Sequence, residues 1–396
     1  MAEPARHART TLALVSLASL GWAFSFGLGA VLASLWLKDA GLSARAIGLN
    51  TSLYYLGVAL AAPFVPRLMR RGNRTCVAGG MLLDAVTTAL FPWCHHLALW
   101  HLLRFLGGVG TALSVIPMET LVNHNAAAGS RGRDFGVYAF CVATGIALGS
   151  VVGLPLYPVA PQLAFAVGGL VTLLAVPLAW VRMPSHCQHE EAGGDEPMPW
   201  ASGLLSLGTA WVQGFLEGGT VTFLSLYLLY LGFTETSASG LMGGLFAGVI
   251  LAQLPLAWLA DRVGRLRILL VCHGLLVAGL LLVPWTSSAL ALAPALLVLG
   301  ACCGALYPLG LALLGDRLPP AALARANAWY LTSNCVGSLS GPALLGLLID
   351  AFGLSVQFYA GAAAITALVA VGLLAGRLAH RAAPAAVPQP SARRAA

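Results

Sequence analysis

The segment RGRDFGVYAFCVATGIALGSVVG (131–153) returns in altered form as LARANAWYLTSNCVGSLSGPALLG (323–346). A shift of 192 residues aligns identical residues of the first half with those of the second: Arg133 with Arg325, Tyr138 with Tyr330, Gly145 with Gly337, Gly149 with Gly341, Pro63 with Pro255 and Gly72 with Gly264. Because so many arginine, tyrosine, glycine and proline positions agree on one offset, the chain is a tandem duplication.

Each copy is made of apolar stretches that are long enough to cross a membrane. The 396 residues are 59% hydrophobic and 9% charged, whereas a soluble domain carries about 25% charged residues. A span needs about 20 mostly apolar residues. On this basis we predict an all-α membrane protein with twelve transmembrane helices at 11–37, 46–68, 75–93, 97–121, 134–156, 161–181, 203–231, 237–259, 268–285, 289–314, 327–349 and 355–377.

The repeat predicts how these helices are grouped. Six is an even number, so the two copies have the same topology and form two six-helix bundles related by a parallel (6+6) repeat. In transporters of this design the binding site lies near the membrane midplane between the bundles. The predicted regions are an N-terminal bundle at 1–182, a cytoplasmic linker at 183–202, a C-terminal bundle at 203–378 and a disordered cytoplasmic tail at 379–396.

The basic residues predict the orientation of the chain. The apolar run behind the basic start MAEPARHAR exceeds the roughly 7–15 residues of a signal peptide, so we expect a retained first helix. With the N-terminus inside, eighteen arginines fall on the inner side, while Lys38 and Arg45 lie outside and Arg104 lies in a span. This skew predicts a multi-pass protein of the cytoplasmic (inner) membrane with both termini cytoplasmic. It also explains the net charge of +7 without a nucleic-acid partner.

Several chemical classes are excluded by what the chain contains. Its single lysine, Lys38, lies in WLKDAG, so a phosphate-binding GxxxxGK[ST] loop is absent and ATP-driven transport is not expected. The eight cysteines form no CxxC pair, which argues against a disulfide framework. HCQHEE (186–191) matches no zinc spacing and is expected to be a solvated loop. We therefore expect no enzyme activity, no cofactor and no metal, and a monomer.

The loop after the eighth span, LADRVGRLR (259–267), resembles the cytoplasmic DRxGRR-type loop of the major facilitator superfamily. The resemblance extends over essentially the whole chain. The first-half loop RLMRRGNRT (67–75) has Met69 where the shift predicts the aspartate, which puts a charge latch there in doubt. The gating residues implied by the resemblance are Asp261, Arg262, Gly264, Arg265 and, in the first half, Gly72.

Further motifs carry the same resemblance. RFLGGVGTA (104–112) is similar to the family's RxxxGxG pattern, whose arginine is commonly linked to proton coupling. The antiporter signature is incomplete, since GIALGSVVG (145–153) lacks the proline that GSLSGPALLG (337–346) contains; GxxxG packing explains both. A finer resemblance, to an uncharacterised bacterial YcaD-like branch, rests on ETLVN (119–123) with RGRDFGVY, and on LYPLGLALLGDRL with GPALLGLLID.

Glu217 is the foremost candidate for substrate or proton binding. Gln213, Glu217 and Thr220 lie on one helical face of span 7, and the resemblance implies that spans 1, 4, 7 and 10 line the cavity. Gly214, Gly218 and Gly219 remove side chains beside the acid, which leaves room for a ligand or a kink. Glu217 either exchanges a proton, binds a cationic group of the substrate, or forms a buried pair with Arg104. Its first-half counterparts, 25–28, are uncharged.

Other candidates have structural alternatives. Arg104, one turn from His101, either holds an anionic substrate group or acts on a carboxylate nearby. Tyr54 and Tyr307 offer hydrogen bonds to a ligand or to neighbouring helices. Asp84 and Glu119 are possible structural charges: the resemblance places span 3 outside the pore, so Asp84 needs a partner on a neighbouring helix, and Glu119 lies at the inner end of span 4.

The sequence therefore predicts a secondary active transporter that moves a small organic solute by alternating access. Proton coupling through Glu217 and Arg104 is the expected energy source, an amphiphilic or zwitterionic compound the expected substrate, and export the preferred direction. Two alternatives stay open: an uptake symporter of a small metabolite, and a membrane receptor or scaffold that keeps the fold without transport.

Overall fold

The computed structural model describes residues 2–70, 72–125, 131–182, 200–316 and 320–382, and within them every regular element is a helix. Most of the predicted linker, including HCQHEE (186–191), and most of the predicted tail lie outside the described residues. The α-helices run Ala2–Asp39, Ala44–Ala61, Val65–Met69, Asn73–Leu90, Leu97–Asn125, Arg131–Leu156, Pro161–Arg182, Trp200–Tyr230, Glu235–Val263, Arg265–Leu282, Ala289–Gly315, Pro320–Phe352 and Val356–Ala382, with 3₁₀ turns at Ala62–Phe64, Phe91–Trp93 and Val283–Trp285.

The helices make twelve membrane spans, as the sequence predicts. Eleven helical segments of the described residues are long and apolar enough to cross a membrane. The twelfth, Trp200–Tyr230, has 31 residues, which is about 46 Å of helix at about 1.5 Å per residue. We number these segments spans 1 to 12 in chain order, span 2 being Ala44–Met69 with its 3₁₀ turn. Span 1 itself, Thr10–Asp39, begins next to the predicted residue 11, and its helix continues back to Ala2.

The connections between spans define two faces of the molecule. The short connections 40–43, 94–96, 157–160, 231–234, 286–288 and 353–355 lie on one side, which we call the short-loop face. Span 1 begins and span 12 ends on the opposite side, which we call the terminal face. The sequence predicts that the terminal face is cytoplasmic.

The duplication is visible in the helix boundaries. Spans 3 and 9 begin at Asn73 and Arg265, and spans 4 and 10 begin at Leu97 and Ala289. Both pairs are separated by the same 192 residues that align the sequence. Equivalent positions of these spans can therefore be compared directly by that offset.

Spans 3 and 9 also end alike. Each closes in a 3₁₀ turn, Phe91–Trp93 in the first half and Val283–Trp285 in the second. The tryptophans at the ends of these turns are largely exposed, Trp93 by 66% and Trp285 by 82%. Exposed tryptophan is typical of the membrane–water boundary, so the two turns mark that boundary on the short-loop face.

The two halves pack by the same pattern. In the first half span 1 packs on spans 5 and 6, and span 4 packs on spans 2 and 3; in the second half span 7 packs on spans 11 and 12, and span 10 on spans 8 and 9. Between the halves, span 2 packs on span 11 and span 5 on span 8. Spans 3, 6, 9 and 12 lie on the outer sides of their bundles, as the family resemblance implies.

Span 2 and span 11 are joined near the short-loop face by polar contacts. The carboxylate of Asp350, at the end of span 11, accepts hydrogen bonds from the backbone N–H groups of Ala44 (2.8 Å) and Arg45 (3.0 Å). It thereby caps the first turn of span 2. Deeper along the same pair of helices, the Ser52 hydroxyl donates to the carbonyl of Leu339 over 2.7 Å.

Two further hydrogen bonds cross between the halves on the same side. The Thr222 hydroxyl lies 3.2 Å from that of Thr51, and the Ser239 hydroxyl donates to the carbonyl of Val151 over 2.6 Å. These five hydrogen bonds between the halves lie in the short-loop half of the spans. The structure is therefore closed toward the short-loop face.

A hydrogen bond within the first half connects spans 1 and 5 at the short-loop face. Tyr157, just beyond span 5, donates its hydroxyl to Asp39 Oδ2 at the end of span 1 over 2.7 Å. Burial and this hydrogen bond raise the pKa of the Tyr157 phenol above its ordinary value. The phenol therefore stays protonated and remains the donor throughout the physiological pH range.

Candidate functional site

Glu217 lies in the middle of span 7, where that helix packs closely on span 11. Side chains added at Gly214 and Gly218 would run into the backbone of span 11, at Asn334 and Ser338. The predicted space for a ligand beside these glycines is therefore absent, because span 11 fills it. The glycines serve close helix packing, and the unbroken helix Trp200–Tyr230 passes through the site.

A chain of amides positions the carboxylate of Glu217. The side-chain amide of Asn334 donates to the carbonyl of Ala210 over 3.1 Å and to Gln213 Oε1. With its oxygen engaged, Gln213 presents its Nε2 to Glu217 Oε2, 2.6 Å away. Thr220, one turn further, is half-buried on the same face. Asn334 is thus the residue that orients Gln213, and Gln213 orients the acid.

Glu217 faces the space between the two halves. Its carboxylate interacts electrostatically with Tyr55 of span 2, Cys303 and Tyr307 of span 10, and Cys335 of span 11. These groups come from both bundles. That Glu217 lines a cavity between the bundles stays a prediction.

Glu119 shares that space. Its half-buried carboxylate interacts electrostatically with Tyr138 of its own half, and with Tyr307 and Cys335 of the other half. Tyr307 and Cys335 are also partners of Glu217. The two acids therefore lie in opposite bundles within electrostatic reach of the same two side chains, a proximity that the position of Glu119 along span 4 did not disclose.

Arg104 is buried within the first half. Its guanidinium is 4.9 Å from the ring centre of Tyr54, the residue is 8% exposed, and it interacts electrostatically with Tyr54, Tyr55 and Asp84. The considered pair with Glu217 is not formed, because this part of span 4 faces spans 2 and 3 of its own bundle. Within the part of the chain that the structure describes, ion pairs closer than 4.0 Å join Arg265 to two aspartates.

Arg104 instead shares a small cavity with Asp84. Asp84 is 3% exposed, and the cavity that both residues line, together with Tyr54 and Thr87, has a volume of about 10 Å³. That is room for about one water molecule. The sequence predicts a partner for Asp84 on a neighbouring helix, and Arg104 of span 4 lines the same cavity without forming an ion pair with it.

The tyrosines predicted as site residues have different surroundings. Tyr54 is buried, and its hydroxyl is hydrogen-bonded to Thr111, which also accepts from Trp22 Nε1 over 3.2 Å. It belongs to the interior of the first half. Tyr307 stacks edge-on with Tyr330 at 5.0 Å between ring centres and lies within electrostatic reach of Glu119 and Glu217. Tyr307, unlike Tyr54, therefore lies near both Glu119 and Glu217.

The loop predicted to act in gating forms a network within the second half. Arg265 pairs with Asp261 (3.1 Å) and with Asp316 at the end of span 10 (2.6 Å). Arg262 stacks on Trp258, 3.8 Å from its ring centre. Gly264 is the single residue between spans 8 and 9, with a φ of 110°, a conformation that favours glycine. The network ties spans 8, 9 and 10 together.

Comparisons with known proteins agree with this architecture. Residues 12–212 and 206–395 each match the profile described as Major Facilitator Superfamily. The chain is similar to the uncharacterized MFS-type transporter YfkF of Bacillus subtilis (27% identity over 359 residues, 87% of this chain and 90% of the relative). It is similar to the uncharacterized MFS-type transporter Ent638_1421 of an Enterobacter species (27% over 323 residues, 81% of this chain and 84% of the relative).

Solved structures show the same fold. A bacterial homologue of the human lysosomal transporter Spinster, in an inward-facing and unoccupied conformation, superposes with a TM-score of 0.76 at 16% identity, covering 96% of this chain and 99% of that one. The nucleoside transporter NupG superposes with a TM-score of 0.74 at 13% identity, covering 92% of this chain and 98% of that one. The predicted likeness to a YcaD-like branch stays a prediction.

Proposed function

The chain belongs to the Major Facilitator Superfamily and is a transporter rather than an enzyme, and we propose that its substrate is a small organic solute with a positively charged group. Glu119 and Glu217 lie in opposite bundles within electrostatic reach of Tyr307 and Cys335, while Arg104 is buried beside the ring of Tyr54. We propose that both carboxylates line one cavity between the bundles. This arrangement favours a cationic solute over the amphiphilic or zwitterionic compound predicted from the sequence.

The aromatic groups of the cavity fit the same class of solute. Tyr55 and Tyr307 both lie within electrostatic reach of Glu217. The face of a tyrosine ring attracts a cation by about 0.5–2 kcal/mol, more when water is excluded. A solute with a cationic head and an apolar body would contact both the carboxylates and these rings.

We propose that transport proceeds by alternating access and is driven by protons. The site lies between two bundles that are joined on the short-loop face, so rocking of the bundles would expose it to each side in turn. A proton and an organic cation would compete for the same carboxylates. Such competition couples inward movement of protons to outward movement of the solute, which makes export the direction we propose, across the inner membrane.

The position of Glu217 carries this proposal, and flux measurements test it. Purified protein in proteoliposomes is given an imposed pH gradient and a panel of cations: tetraphenylphosphonium, ethidium and choline. We expect gradient-driven flux of at least one cation in the wild type and in Glu235→Gln, which makes the same change at the start of span 8. We expect Glu217→Gln to reduce that flux to the level of empty liposomes.

Different failures of this experiment have different meanings. If the wild type moves none of the three cations, the proposed positive charge of the solute is wrong. Equal, gradient-independent flux in the wild type and Glu217→Gln would reject proton coupling through this residue. A receptor or scaffold with this fold would show no flux and would retain its activity in Glu217→Gln.

A further inference from the structure

The cavity between Asp84 and Arg104 holds two buried, oppositely charged side chains that do not meet. They line the same space of about 10 Å³, but they form no ion pair within 4.0 Å, and neither Asp84 Oδ2 nor Arg104 Nε has a hydrogen-bond partner. Unpartnered buried polar groups are rare because each costs free energy. The pair is therefore incomplete as a structural ion pair.

The second half shows what this packing looks like without charge. By the 192-residue offset, Asp84 corresponds to Leu276, Arg104 to Leu296 and Tyr54 to Phe246. The two leucines are 2% and 1% exposed, and Phe246 is 8% exposed. The chain thus contains an apolar version of the same three-helix contact, built on the same helix boundaries.

The second half packs these three helices with apolar side chains alone at the equivalent positions. Replacing a buried ion pair by well-packed apolar residues is often neutral or stabilising. Since spans 8, 9 and 10 assemble with Leu276, Leu296 and Phe246, the fold does not require charges at these positions. The charges in the first half must be retained for something other than packing.

We propose that Asp84 is a proton-binding residue, separate from the solute site at Glu217, and that its charge state controls the position of Arg104. The proposal rests on the proton coupling proposed above. A hydronium ion that reaches the cavity transfers its proton to the Asp84 carboxylate and leaves a water molecule, for which the cavity has room. The ionised carboxylate attracts the guanidinium across the cavity, and the neutral acid does not.

The groups that face Asp84 are few. Among the described residues, span 4 contributes Arg104 and span 2 contributes Tyr54. Spans 1 and 6 contribute Gly29, Ala33 and Phe165 to the cavity wall and no titratable group. Because arginine keeps its charge at all ordinary pH values, Asp84 is the member of this set whose charge can change.

The contacts of Tyr54 connect this site to the closed face. The guanidinium of Arg104 lies 4.9 Å from the centre of the Tyr54 ring. Tyr54 lies on span 2, one turn from Asn50 and close to Ser52, which bonds across to span 11. A change in the attraction between Asp84 and Arg104 therefore acts on the helix that joins the two halves at the short-loop face.

Infrared spectroscopy tests the proton site without any solute. Purified full-length protein in lipid is titrated by attenuated-total-reflection infrared spectroscopy, which detects the carbonyl stretch of each protonated carboxyl group. We expect Asp84→Asn to remove one titrating component that Glu217→Gln and Glu119→Gln leave in place. Arg104→Gln should displace that component along the pH axis, whereas Arg45→Gln, at an exposed arginine, should not. A spectrum unchanged by Asp84→Asn overturns the proposal.

A variant that copies the second half tests the consequence for motion. In Asp84→Leu/Arg104→Leu both charges are replaced by the residues found at Leu276 and Leu296. We expect its melting temperature to equal or exceed that of the wild type, with each single leucine variant less stable. Spin labels at Ala40→Cys and Ala351→Cys, in a background without native cysteines, report the distance across the short-loop face.

We expect the wild-type distance distribution to change with pH and that of the double variant to be independent of pH. A double variant that keeps the wild-type pH response overturns the coupling of Asp84 to the gate. None of these readouts depends on solute flux. If none of the three cations is transported in proteoliposomes, the proposed solute class is rejected. The infrared titration of Asp84 is unaffected by that result, so the two proposals can fail independently.

Discussion

Three ionisable side chains inside the membrane look alike in the sequence but have different surroundings. Glu217 is held by Gln213 and faces both halves of the molecule. Asp84 and Arg104 face each other within one half. A charged side chain among apolar residues is costly in every case, but only the structure tells which side chains share its space.

Gly264 is the residue whose conformation connects spans 8 and 9. A β-carbon there would meet no other atom, so the cost of alanine is conformational alone, about 1–3 kcal/mol for a non-glycine residue in this region. We expect Gly264→Ala to lower the melting temperature of the solubilised protein. Gly240→Ala is the matched control, since Gly240 is helical and also meets no atom; if both variants melt alike, strain at Gly264 is not the cause.

At the scale of the helix, span 2 is the element that links the parts of the site. Tyr54 on one side of span 2 lines the first-half cavity. The first turn of span 2 is capped by Asp350 of the other half. The cap spans the interface between the bundles, so it exists only while the short-loop face is closed. Span 2 therefore has different end contacts in the two states of a rocking cycle.

Loss of this cap should shift the conformational equilibrium. Removing a capping side chain costs about 0.5–2 kcal/mol, and about 1 kcal/mol corresponds to a roughly fivefold change in population. We expect Asp350→Ala to increase the fraction open at the short-loop face, measured by the same pair of spin labels. Ser43→Ala is the control, because Ser43 caps span 2 from within its own half; an equal shift in both variants would show that the effect is only loss of helix stability.

At the scale of the molecule, the positions of the arginines predict the orientation in the membrane. In a background without native cysteines, Ala40→Cys lies on the short-loop face and Val263→Cys on the terminal face. We expect a membrane-impermeant maleimide to label Ala40→Cys in intact cells and Val263→Cys only after permeabilisation. The reverse result would place the termini outside and would also reverse the proposed export.

Much of the architecture could be predicted because it depends on local patterns. Apolar length predicted the spans, and the spacing that aligns Gly72 with Gly264 predicted the repeat. The partners of Arg104 and Glu119 could not be predicted, because spacing along one helix does not tell which face of which neighbour it meets. The prediction that the glycines beside Glu217 leave room for a ligand was wrong for the same reason. The backbone of span 11 occupies the space that their missing side chains leave.

The paired turns that end in Trp93 and Trp285 have a consequence for the surrounding lipid. They fix both bundles at one depth on the short-loop face, so rocking must displace the opposite ends of the helices against the other leaflet. Deforming a bilayer around a hydrophobic mismatch costs a fraction of a kcal/mol per ångström. The turnover of this transporter should consequently depend on acyl-chain length, with an optimum where the bilayer matches both of its end states.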